Sequence, residues 1–188
     1  MPNVHCVLDA SALLKKYRPE IGSEIVLELF KRKDCAKHIL NVTIPEVTGA
    51  FVRWRLDEEI KPDEREDLID GFIKDIRLYQ VVVHNITHRN IVKTDDVWTK
   101  SITPKPSFQP QIVEQVVCPM CGKSFEKISQ RRKPRIGPVD VLVLSVCLAL
   151  RASYGKIYLF SSDDHMLKVA RRLNITICNP EVVSQLPF

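Results

Sequence analysis

Short apolar runs alternate with helix-length amphipathic segments along most of this chain, and no other feature restricts its fold so much. Val4 to Leu8, His38 to Val42, Tyr79 to Ile86, Lys156 to Phe160 and Ile175 to Cys178 read as strands. Helices are expected at Ser11 to Lys16, Glu20 to Arg32, Thr43 to Trp54, from Pro62 through Ile76, Pro138 to Ala152 and His165 to Leu173. A run that is apolar throughout must be covered on both faces, and intervening helices supply that cover. The pattern therefore predicts an α/β fold, a parallel central sheet with helices on both faces. In such sheets ligands bind beyond the carboxyl ends of the strands.

The 188 residues suit a single domain spanning 1–188, and a hydrophobic content of 45% is enough for a real core. Between 87 and 137 the alternation stops. No long periodic segment is evident there, and Pro104, Pro106 and Pro110 punctuate the stretch, so 87–137 reads as an insertion. The start has no basic segment followed by a long apolar one, so no signal peptide is expected. Runs such as Val141 to Val146 are too short to span a bilayer, so no membrane partner is expected. Cys6, Cys35, Cys147 and Cys178 are scattered and read as reduced, mostly core residues, which suits a cytoplasmic protein. The net charge of +5 permits nucleic-acid binding without requiring it.

Four acids stand where apolar elements meet polar turns: Asp9, Glu46, Asp140 and Asp163. Each has a structural reading. Asp9 and Asp163 suit helix N-caps, and Glu46 and Asp140 suit first turns, where the helix dipole favours an acid. Together they say more, because carboxylates brought close repel one another unless a cation compensates. A set of hard oxygen ligands suits Mg²⁺ or Mn²⁺, and such sites often hydrolyse phosphodiesters.

The segments around these acids resemble those of PIN-domain nucleases. Val7-Leu8-Asp9-Ala10-Ser11-Ala12-Leu13 resembles the family's opening strand, which ends in Asp, a small residue and Ser or Thr. Pro45-Glu46-Val47, continuing through Ala50 to Arg53, resembles its Glu-bearing helix. Pro138 to Leu144 resembles its Asp-bearing helix, and Phe160-Ser161-Ser162-Asp163-Asp164-His165 the turn carrying its last acid. The resemblance covers roughly residues 3 to 83 and 137 to 180, and its nearest branch looks like VapC-type toxins and archaeal PIN proteins. Ser161 stands where Thr is commoner, and Asp164 adds an acid beside Asp163. The resemblance implies metal-dependent hydrolysis of single-stranded RNA. Asp9, Asp140 and Asp163 would hold Mg²⁺ or Mn²⁺, and Glu46 would bind metal or orient a water. Ser11 and Ser161 would support the carboxylates from behind, with Asp164 nearby. It also implies a toxin with a small antitoxin partner or an RNA-processing enzyme, and a homodimer.

Cys118-Pro119-Met120-Cys121-Gly122 has the spacing of a zinc knuckle, and its flanks, Val116-Val117 and Ser124-Phe125, suit a short hairpin. A tetrahedral zinc site needs four ligands, and this pair supplies two. His84 and His88, or a matching pair from a second subunit, are the candidate completions. A lost half-site and a redox-capable pair are the alternatives. Arg131-Arg132-Lys133-Pro134-Arg135 is a solvated loop or, beside a nuclease site, a phosphate-binding surface. Two other functions remain to be weighed. One is a catalytically silent RNA-binding or scaffold protein, which gains nothing from clustered negative charge. The other is a response-regulator type of phosphotransfer protein, which needs an Asp-bearing strand that residues 37 to 90 do not supply.

Overall fold

A computed structural model describes residues 2–101, 113–117, 124–128 and 136–188. Five parallel strands form the main sheet: β1 (Val4–Leu8), β2 (Cys35–Leu40), β3 (Val82–His84), β6 (Tyr158–Phe160) and β7 (Thr176–Cys178). Helices α1 (Ala10–Leu14) and α2 (Ser23–Lys31) join β1 to β2. Helices α3 (Thr43–Leu56) and α4 (Pro62–Leu78) join β2 to β3. Next come α5 (His88–Ser101), the strands β4 (Val113–Val117) and β5 (Ser124–Ile128), and α6 (Pro138–Tyr154), before the chain enters β6. Helix α7 (Asp164–Arg172) joins β6 to β7.

The sheet order is β3-β2-β1-β6-β7. From β1 the chain steps outward to β2 and β3, then returns to the other side of β1 for β6 and β7. Parallel crossovers keep one hand, so reversing the direction of travel moves the helices to the opposite face. The core divides accordingly. Cys6, Leu8, Ile39, Tyr158 and Phe160 pack with Leu13, Leu29, Phe51 and Phe72 on the α1–α4 face. Val7, Leu40 and Leu159 pack with Val97, Leu144, Cys147 and Met166 on the α5–α7 face. The strand side chains alternate between the two clusters, as a pleated strand requires. The expected parallel α/β sheet with helices on both faces is the fold observed, and the paired strands β1 and β6 mark where the strand order reverses.

Helix α5 corrects the reading of 87–137 as lacking a long periodic segment. It buries Asn90, Val97 and Ser101 but leaves Ile91 and Val92 exposed, so its apolar residues do not trace its buried face. At its start Asn90 Oδ1 accepts from both the backbone N–H (3.0 Å) and the hydroxyl (2.6 Å) of Thr87, a capping interaction. Arg172 donates to the Lys100 carbonyl at 3.0 Å and so ties α7 to the end of α5. Strands β4 and β5 pair antiparallel, with Val117 opposite Ser124, so the hairpin flanks expected of the cysteine segment do form. The four cysteines expected in the core are free and buried. No helix among the described residues is long and apolar enough to cross a membrane.

One polar feature crosses the α5–α7 face of the sheet. His5, His38 and His84, on β1, β2 and β3, form a chain of imidazoles. His5 Nδ1 lies 3.0 Å from His38 Nε2, and His38 Nδ1 lies 2.9 Å from His84 Nε2. The Tyr154 ring stacks on His5 at 3.8 Å between centroids. His38 is buried, and burial together with its two histidine neighbours pushes its pKa down to about 4. Burial lowers His5 and His84 as well. A neutral imidazole donates from one nitrogen and accepts at the other, so the chain holds together while its members are neutral. The folded state binds fewer protons than the unfolded chain between about pH 6.5 and 4, so this contribution to stability is complete above 6.5 and is lost as pH falls toward 4. The expected loss from His38 is on the order of 3 kcal/mol over that range. Denaturant titrations of wild type and His38→Gln at pH 7.5, 6 and 4.5 check it. The variant should start less stable and fall less steeply, and parallel curves would sink the idea.

Candidate active site

The carboxyl ends of β1 and β6 meet at the reversal of strand order, and the backbone there turns directly into helices. Asp9 follows β1 and caps α1. Its Oδ2 accepts from the Ser11 hydroxyl at 2.7 Å, the Ser11 N–H at 3.3 Å and the Ser161 hydroxyl at 3.2 Å. Asp9 is 6% exposed and Ser161 fully buried. Both hydroxyls also accept from the β6–α7 turn: Ser162 N–H reaches across to Ser11 Oγ at 3.0 Å, and Asp163 N–H reaches Ser161 Oγ within the same turn at 3.1 Å. Ser11 and Ser161 thus fasten the β1–α1 turn to the β6–α7 turn and fix the Asp9 carboxylate between them.

Asp163 caps α7, its Oδ1 accepting from the N–H groups of His165 (2.7 Å) and Met166 (2.9 Å). Asp164 is the first residue of α7 and is exposed. Asp140, in the first turn of α6, accepts at Oδ2 from the Gly137 N–H at 2.7 Å. Burial raises its pKa, the Gly137 hydrogen bond opposes that, and the charges of Asp9 and Asp163 raise it further. Glu46 sits in the first turn of α3, half-buried. Burial and the charges of Asp9 and Asp140 push its pKa up to about 7, against a smaller opposing effect of Arg53. Four helices therefore begin at one edge of the sheet, each with an acid at its cap or first turn, and the fold brings the acids close enough to resist one another's ionisation.

In Asp9, Asp140 and Asp163 one oxygen carries the hydrogen bonds described. Among the described residues the other oxygen, Oδ1 of Asp9, Oδ1 of Asp140 and Oδ2 of Asp163, accepts none. Glu46 Oε2 is buried without a partner, and so are Asn41 Oδ1, Thr43 Oγ1 and Ser162 Oγ. These are the buried side-chain oxygens left unsatisfied among the described residues, and they lie between β2 and the first turn of α3 or on the β6–α7 connection. Buried polar atoms are normally satisfied, so this concentration marks a place for water, an ion or a ligand. The chemistry suits a divalent cation, which takes oxygen ligands and offsets the mutual repulsion. As placed, no three acidic, histidine or cysteine side chains among the described residues enclose one point at ligand distance. Without a counter-charge between them, like charges keep apart.

Asn41 and Thr43 were absent from the sequence-based site. Thr43 reads as a cap in sequence, whereas Val42 takes that position and Thr43 enters the helix with its hydroxyl buried. The available signal was their place, polar residues directly after a buried strand. The zinc completion by His84 and His88 involves Cys118 and Cys121, which lie outside the described residues. His84 Nε2 faces His38, and His88 is exposed at the start of α5. Cys118, Cys121, Arg131, Arg132, Lys133 and Arg135 lie outside the described residues.

No protein-family model matches this sequence, and no curated protein matches it. Solved structures do match its fold. One is a chain of VapBC2 from Rickettsia felis, crystallised bound to a DNA fragment from their promoter. It has a TM-score of 0.55 and 12% identity, over 94% of this chain and 98% of that one. Another is a chain of FitAcB from Neisseria gonorrhoeae, with a TM-score of 0.57 and 11% identity, over 95% of this chain and 99% of that one. The fold is PIN-like over nearly the whole length of these chains.

The acids should leave a thermodynamic trace. The folded state holds the Glu46 proton up to about pH 7, while an unfolded Glu loses it near 4.5. Between those values the folded state binds more protons, so this contribution to stability falls as pH rises. In metal-free protein, Glu46→Gln should raise the melting temperature at pH 8 and change it little at pH 5. Equal effects at both pH values would show that burial and the neighbouring carboxylates do not hold the Glu46 proton in the folded state.

Proposed function

We propose that this protein is a divalent-metal-dependent endoribonuclease that hydrolyses phosphodiester bonds of single-stranded RNA. The observation that carries the reading is the buried, unpartnered Glu46 Oε2 beside Asp9 and Asp140, at the strand-order reversal of a PIN-like sheet. Asp9, Asp140 and Asp163 would hold Mg²⁺ or Mn²⁺ through their free oxygens, with Glu46 completing the set. When bound, the metal would supply Lewis-acid stabilisation of charge on phosphate and a lower pKa for water. The protein's own part is positioning. Ser11 and Ser161 fix the Asp9 carboxylate, while helix N–H groups hold those of Asp140 and Asp163, so each is presented by a restrained backbone. Deprotonated Glu46 would serve as a ligand or as acceptor for a water proton, and that form is favoured above about pH 7.

The proposal extends to partners in the same terms. An antitoxin protein would cover the acidic edge, as suits a toxin, and a homodimer is the proposed assembly. Zinc would bind Cys118 and Cys121, with a second copy supplying the other two thiolates. The Arg131–Arg135 stretch would add phosphate contacts to the RNA surface. A catalytically silent RNA-binding role is the second reading, favoured by the lack of a ready-formed three-ligand set among the described residues.

Cleavage of labelled single-stranded RNA with Mn²⁺ or Mg²⁺ separates the two, with EDTA and with Asp9→Asn and Asp140→Asn as controls. The nuclease reading expects metal-dependent cutting that falls at least about 100-fold in each variant, since even changes behind a ligand cost about 10–100-fold. Full activity in both variants would refute the assignment. Elemental analysis of the same preparation reads the zinc, added antitoxin reads the partner, and cleavage at rising salt reads the basic stretch.

A further inference from the structure

Helix α3 carries Glu46, Gly49, Ala50 and Arg53 at positions i, i+3, i+4 and i+7, which share one helix face. Helical side chains lean toward the N-terminus of their own helix, and for α3 that end lies at the acidic edge. Arg53 follows this rule. One terminal guanidinium nitrogen, Nη1, lies 3.9 Å from where a Cβ on Gly49 would stand, so the side chain reaches back along the turn between Arg53 and Glu46. Arg53 is exposed, and among the described residues it makes no ion pair.

The other cations close to Asp9 in the chain are engaged. Lys15, 3% exposed, pairs with Glu20 at 2.9 Å and Glu181 at 2.7 Å. Lys16 pairs with Asp75 at 2.5 Å, and Arg18 with Glu59 at 2.5 Å. Arg53 is also near enough to oppose the rise in the Glu46 pKa, yet it does not close a salt bridge with it. A guanidinium beside a carboxylate cluster, paired with none of its members, has its fork of N–H donors free for an incoming anion.

We infer that Arg53 binds a backbone phosphate of the substrate next to the one being cleaved, and so sets where single-stranded RNA crosses the acidic edge. The inference rests on the nuclease reading for the identity of the substrate. The planar fork suits two phosphate oxygens at once, which a lysine does not reproduce. Placing the contact on a flanking phosphate follows from Arg53 lying two helical turns beyond Glu46 rather than among the acids.

The test uses the full chain and single-stranded RNA oligonucleotides of one sequence, in two arms. In the first, Mn²⁺-dependent cleavage is measured for wild type, Arg53→Ala and Arg53→Lys. The expected result is a KM raised about tenfold in Arg53→Ala with kcat within about threefold, and partial recovery in Arg53→Lys. In the second, RNA binding is measured in an Asp140→Asn background, with and without Arg53→Ala, across a salt series. Arg53→Ala should weaken binding and lower the salt slope by about one. If wild type cuts RNA while KM, affinity and salt slope all ignore Arg53, the inference is overturned and the nuclease reading stands. If wild type cuts nothing but the binding arm shifts as expected, the phosphate contact stands and the nuclease reading falls. If neither arm responds, both fall. Melting curves confirm that the exposed Arg53 variants are folded.

Discussion

Repulsion among carboxylates is the constraint on which the rest of this structure depends. Asp9, Glu46, Asp140 and Asp163 arrive from four different connections, and nothing local in the sequence requires them to meet. The sheet topology does. Strand order reverses between β1 and β6, the position at which such sheets bind ligands, and the connections on either side begin helices there. Each helix N-terminus carries partial positive charge, so one acid at each is favourable. Four acids together are not, and their mutual charge adds to burial, the larger cause, in raising the pKa of Glu46 and Asp140.

Capping and metal binding are usually posed as rival explanations of an acid at a helix start. Here they act on different atoms. One oxygen of Asp163 caps α7, one oxygen of Asp140 closes the first turn of α6, and one of Asp9 is fixed by two hydroxyls and a backbone amide. These bonds leave the second oxygen of each without a hydrogen bond from the described residues, and they limit how far the carboxylate can swing away from its neighbours. The structural role thus prepares the chemical one: the cap fixes the carboxylate that a cation would bind. Ser11 and Ser161 extend this logic across the sheet, because their hydroxyls accept from one turn while donating to the acid of the other.

Legibility in the sequence follows the same division. Val4–Leu8 and residues 156–160 were readable as strands because their apolar runs end abruptly in polar turns, and Asp9 and Asp163 were readable by position alone. Helix α5 was not, since Ile91 and Val92 face out while Asn90 and Ser101 face in. Its burial is set by packing on α6, which no local period encodes. The histidine chain was hidden for a related reason. His5, His38 and His84 are distant in sequence and meet only through the parallel register that sets His38 opposite Val7 and Val82, and Leu40 opposite His84. Patterns within one element can be read from a sequence, whereas pairings across elements depend on register.

The histidine chain and the acidic edge pull stability in opposite directions with pH. Neutral imidazoles across the sheet favour the folded state above about pH 6.5, and crowded carboxylates disfavour it as Glu46 ionises near 7. Metal-free protein therefore loses the imidazole contribution as pH falls below about 6.5 and the Glu46 contribution as pH rises from about 4.5 to 7. A bound cation relieves only the carboxylate side, so its stabilising effect should grow as pH rises while the imidazole side stays unchanged. That asymmetry separates a functional cluster from a merely capped one. Acids that served only as caps would be independent of one another, and their stability would not respond to an ion between them.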